Sequence, residues 1–149
     1  MTTENSASAA TGAERSGIVR DPARFRSRLL AWLGGAVAGL VVWLIAALVA
    51  DADLRVTIGA TEQQIVAVWV VGSALVQGGV GWAVLALLER FLTRARTIWL
   101  VIAVVVLVLT GVNAAVAAVN TETAVWLNVM HLAVAAVLVP VLARTSPRR

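Results

Sequence analysis

Four long apolar runs, separated by short polar connections, constrain this chain more than any other feature. The last is the most informative: Ala124 to Arg144, AVWLNVMHLAVAAVLVPVLAR. About 20 apolar residues suffice to cross a bilayer as a helix. Three similar runs precede it, and the chain is 60% hydrophobic, against roughly 45–50% in ordinary soluble domains. A soluble core of 149 residues has no room for so much apolar side chain, so lipid must cover much of it. The expected fold is therefore all-α: a four-helix transmembrane bundle with spans at about 29–50, 65–88, 98–119 and 124–142. These spans form one domain, 24–144, after a polar tail, 1–23, and before a short basic tail, 145–149.

Arginine placement sets the expected orientation. All 12 basic residues are arginine. Five precede the first span, Arg90, Arg94 and Arg96 lie between the second and third, and Arg144, Arg148 and Arg149 follow the fourth. The other two connections hold only Arg55, against Asp51, Asp53, Glu62 and Glu122. Basic residues stay on the cytoplasmic side, so both termini are expected there, in a bacterial cell membrane. Charge in this position serves topology, and it argues against a nucleic-acid partner despite the net charge of +4. The lipid bilayer is the expected partner.

The chain has no cysteine. That excludes disulfides, thiolate metal sites and thiol redox chemistry, and with them a quinone-linked thiol oxidoreductase.

The tail 1–23, rich in Ser, Thr, Ala and Glu, lacks a periodic apolar face and is expected to be disordered, as a solvated tail or as a docking tail. In the first span Gly35 and Gly39 form a GxxxG pair, extended one turn earlier by Ala31. Small residues at this spacing let helix backbones approach closely in lipid. Packing within the bundle and a seam to a second copy or another membrane protein are both open to them. The connection 51–64 suits a brief helix or strand at the surface. The second span is the most polar, with Gly72, Ser73, Gln77, Gly78, Gly79 and Gly81. A glycine-rich middle implies close packing, a kink or local unwinding. Glu89 closes it beside Arg90, which favours an interfacial ion pair over the membrane carboxylate of a small multidrug transporter. In the third span the first half is expected to face lipid, while Thr110, Gly111, Ala114, Ala115 and Ala118 make the second half the packed one. Trp32, Trp69, Trp99 and Trp126 fall near span ends, where aromatic belts form. Pro140 is expected to bend the last span.

At 1.5 Å of rise per residue, the polar side chains within the spans fall into one layer of the outer half: Asn128 and His131 in the fourth span, Asn113 in the third, Ser73 and Gln77 in the second. Asn128 and His131, three apart, share a face. Two readings are open for this layer. One is hydrogen bonding between helices that fixes their packing. The other is a polar pocket open to the outside, with His131 as a contact or a pH-sensitive group. One histidine without cysteine or a buried carboxylate makes a poor metal site. No metal or cofactor is expected, and without a nucleophile and base pair no enzyme is expected either.

The stretch WLNVMHLAVAAVLVPVLAR at Trp126 to Arg144, above all Met130-His131-Leu132 and the closing Ala143-Arg144, resembles an uncharacterised family of small actinobacterial four-span integral membrane proteins, filed as a domain of unknown function. The glycine-rich second span ending GWAVLALLERF adds to the likeness, which runs from about Leu29 to Arg144. The resemblance implies the four-helix membrane fold and no activity. The expected function is a structural or accessory membrane component, the alternative a transporter or sensor for a small molecule.

Overall fold

The computed structural model describes residues 22–146. The expected tail over 1–21 and the last three residues, 147–149, lie outside the described residues.

The elements run α1 (Pro22–Leu44), a π-helical turn (Ile45–Val49), β1 (Arg55–Ile58), β2 (Thr61–Gln64), α2 (Ala67–Phe91), α3 (Ala95–Ala117) and α4 (Thr121–Thr145). Together with its π turn, α1 has a mean hydropathy of 2.3 in its most apolar window; α2, α3 and α4 have 1.7, 2.7 and 2.1. All four helices are long and apolar enough to cross a membrane. An even number of antiparallel helices brings the start of α1 and the end of α4 together, and Arg28 of α1 bonds Thr145 of α4.

Helix α1 lies against both α2 and α4, and α3 attaches chiefly to α4. The GxxxG face explains the first of these contacts. Ala31, Gly35 and Gly39 are all buried. A Cβ at Gly35 would come within 3.2 Å of Leu138, and one at Gly39 within 3.1 Å of Val134. The pair thus packs α1 on α4 of the same chain.

The glycines of α2 make room for a tryptophan. A Cβ at Gly78 would lie 2.7 Å from Trp32 Cδ1 and 2.9 Å from Leu138. The indole settles on this bare stretch and donates to Leu75 O at 2.8 Å. Trp99 does the same from α3, donating to Gly81 O at 3.0 Å. Both indoles therefore point into the bundle, unlike the belt residues expected from their place in the sequence, whereas Trp69 is 64% exposed. A buried indole N–H needs an acceptor, and carbonyls of α2 supply it. Most of the first half of α3 is exposed, as expected, with Val101, Val104, Val108 and Leu109 outward, but Trp99 turns inward. It is 3% exposed and packs with Leu85, Leu138 and Leu142, anchoring the start of the helix. The second half is held along one stripe, at Gly111 and Ala114, while Val112, Asn113, Ala115 and Val116 are exposed.

Two apolar clusters result. One, around Leu85, Trp99, Leu138, Leu142 and Ala143, seals the end where α1 starts and α4 ends. The other, Ala46, Leu54, Val70 and Met130, ties the opposite end to the loop. That loop is a β-hairpin, with Gly59 at φ 65° opening its two-residue turn. Positive φ at the first position suits the twist of paired strands and favours glycine. The hairpin is tied down at its base. Thr123 Oγ1, fully buried, donates to Asp53 O at 3.1 Å and accepts from Arg55 N at 3.4 Å. Val119 N donates to Arg55 O at 3.2 Å. Asn120 caps α4 by accepting from Thr123 N at 2.7 Å.

Candidate functional site

The helix arrangement leaves a cleft. Helix α3 packs more on α4 than on α2, and a cavity of about 520 Å³ runs between α2, α3 and α4, lined on α3 from Trp99 to Thr110. Val76 and Val80 of α2 and Ile102 and Val106 of α3 line it and are also exposed, so it is open along one side. The Trp99 cluster closes it toward the end where α1 starts and α4 ends.

Its walls are apolar except at one level. Ser73 and Gln77 of α2, Thr110 of α3 and His131 of α4 line it. Counted from the hairpin end of each helix at 1.5 Å per residue, they lie about 9 to 15 Å deep. Ser73 Oγ donates to Val70 O at 3.1 Å. Thr110 Oγ1 has Val106 O at 2.8 Å and Leu107 O at 3.1 Å. His131 Nδ1 lies 2.7 Å from Leu127 O. A carbonyl cannot donate, so Nδ1 carries the proton, which leaves Nε2 as the ring nitrogen open to a ligand. Nε2 and the Gln77 amide have no hydrogen-bond partner among the described residues.

The five residues of the expected polar layer divide. Ser73, Gln77 and His131 meet at the cleft. Asn128 lies beside it and serves packing: its Nδ2 donates to Ala124 O at 2.9 Å and to Gly111 O at 3.3 Å. Gly111 is needed at that contact, since a Cβ there would fall 2.7 Å from Asn128 Oδ1. Asn113 does not join the layer. It is exposed and absent from the cleft wall. Two residues after Gly111, it sits about 200° further round the helix, and the Gly111–Asn128 contact turns it outward. Thr110 belongs to the site and is not among the residues expected there; its place one row from Gly111 is the sequence feature that would have found it.

Glu89 is the second polar feature. Its carboxylate takes both arms of Arg28, at 2.6 Å and 3.1 Å, and Arg28 also donates to Thr145 Oγ1 at 3.0 Å and Thr145 O at 3.1 Å. Arg28 is 6% exposed and Glu89 16%. The partner is thus Arg28 of α1 rather than the neighbouring Arg90, and the pair clamps α1, α2 and α4 together. Its hydrogen-bonding capacity is spent on structure.

Among the described residues, no three His, Asp or Glu side chains come close enough to hold a metal. No curated protein matches the chain significantly, and no solved structure does. The family model described as a family of unknown function, DUF6069, matches residues 19–148, and the chain belongs to that family.

Proposed function

We propose that this multi-pass protein is a non-enzymatic component of a bacterial cytoplasmic membrane that holds an apolar or amphiphilic small molecule in the cleft between α2, α3 and α4. The cleft carries this reading. A cavity of about 520 Å³ is within the range of small-molecule sites. Its open side faces the direction from which a lipid-dissolved molecule would arrive, and Ser73, Gln77, Thr110 and His131 give an apolar ligand's polar end one level to settle at. The grouping of Arg24, Arg26, Arg28, Arg90, Arg94, Arg96 and Arg144 at the chain-terminal end supports a cytoplasmic position for that end. The polar level then lies in the outer half of the membrane.

Native mass spectrometry of the protein released from its own membrane tests the reading. The wild type should retain an amphiphile of defined mass through detergent exchange. Ser73→Trp, which fills the cleft from an exposed position, should lose it, while Val112→Trp on the far side of α3 should keep it. A wild type with only a random scatter of membrane lipids would refute the reading.

A second reading, an accessory role through contact with another membrane protein, has Asn113 in its favour. An amide on an exposed apolar face is unfavourable in hydrocarbon unless a neighbour bonds it. Co-purification of a partner with the wild type and its loss in Asn113→Leu would favour this role.

A further inference from the structure

The hydrogen-bond inventory of the cleft points to one ligand class. We infer that it takes a membrane lipid with an uncharged, hydroxyl-bearing head, its hydroxyl donating to His131 Nε2 and its chain lying along the apolar wall toward Trp99. The inference rests on the reading of the cleft as a binding site and adds the chemistry of the head.

Four donors of the wall are already committed. Ser73, Thr110, His131 Nδ1 and Trp99 Nε1 all face backbone carbonyls. What remains to a ligand at the polar level is His131 Nε2, the lone pairs of Ser73 Oγ and Thr110 Oγ1, and the Gln77 amide. A hydroxyl donor fits an acceptor-rich level of this kind, and the Gln77 amide at the same level can donate to the head as well. No arginine, aspartate or glutamate lines the cleft. A phosphate or carboxylate head would find no cation there and a choline or ammonium head no carboxylate. Burial of an unpaired charge costs far more than burial of a hydroxyl that finds a partner. Below the polar level, Val80, Val84, Ile102, Leu138 and Val139 offer a continuous apolar surface. Ser73 and Gln77 lie about 9 and 15 Å from the hairpin end of α2, a depth that a small head reaches without leaving the membrane.

Three photoreactive lipids with the same diazirine-bearing acyl chain decide the matter: a diacylglycerol, a phosphatidic acid and a phosphatidylcholine. Each is incorporated at the same mole fraction into nanodiscs holding the full chain, and adducts are mapped on the peptides that line the cleft. The diacylglycerol should label them about fivefold more than either of the others, as one retained hydrogen bond predicts. In His131→Leu the cleft should still be labelled but without that preference. Gln77→Leu, an exposed change that leaves the packing intact, should reduce the preference in the same direction. Equal labelling by all three lipids in the wild type, or stronger labelling by phosphatidic acid, would overturn the head-group assignment while leaving the cleft a lipid site. Absence of cleft adducts with every probe would overturn the binding reading itself.

Discussion

Arg28 joins three helices through one guanidinium group. Removing one partner of a buried pair leaves the other charge uncompensated, a loss of about 3–5 kcal/mol. Arg28→Ala is therefore expected to lower stability by about 3 kcal/mol in a detergent unfolding assay, while Arg90→Ala, at an exposed position, changes it by less than about 0.5 kcal/mol. Equal effects would mean that Glu89 is shared between the two arginines. The sequence made an ion pair at Glu89 legible, because a carboxylate at a span edge among arginines needs one. It did not make the partner legible: Arg28 lies 61 positions away, and only the crossing of α1 over α2 brings it there. Asn113 shows the converse. Depth in the membrane follows from counting residues, but the direction a side chain faces depends on which neighbour the helix rests on.

The glycines of α2 have unequal roles. Gly78 sits under Trp32, whereas Gly72 and Gly81 have nothing within 4 Å of a built Cβ. Gly78→Ala should cost about 1–3 kcal/mol through overpacking. Gly72→Ala should be neutral or stabilising by up to about 1 kcal/mol, since alanine favours the helix. Thermal unfolding of the two variants side by side checks this; equal shifts would show that Trp32 does not rest on Gly78. The hairpin allows a similar test. Thr123→Val removes its buried hydroxyl bonds to Asp53 and Arg55. A loss of about 1–3 kcal/mol and faster amide exchange over 55–64 are expected, with exchange in the body of α2 unchanged. Slow exchange in the variant would mean that the hairpin is held from elsewhere. Element existence was legible here, because each apolar run is long enough to span a bilayer. A brief helix or strand was open over 51–64, but a paired hairpin was not legible, since TEQQ carries no apolar alternation and its pairing with RVTI depends on the two-residue turn at Gly59 and Ala60.

The whole molecule is asymmetric about the polar level. Below it, Trp99 and Leu142 hold α2, α3 and α4 together; above it, Asn128 joins α3 to α4 at Gly111 and the end of α3 meets β1 of the hairpin. The sequence reported a polar layer and a glycine-rich helix, and both readings of that layer have members in the structure: Asn128 packs, while Ser73, Gln77 and His131 line a cleft. The separation of α2 from α3 could not be read from composition, because it follows from the reach of side chains across three helices. That separation is also the feature on which the functional account depends. A crystal structure of the full chain grown from a lipid mesophase measures it directly. The account predicts an elongated density between α2 and α3, ending in a small head beside His131. A structure with α3 closed against α2 along its full length, and no space between them, would contradict it.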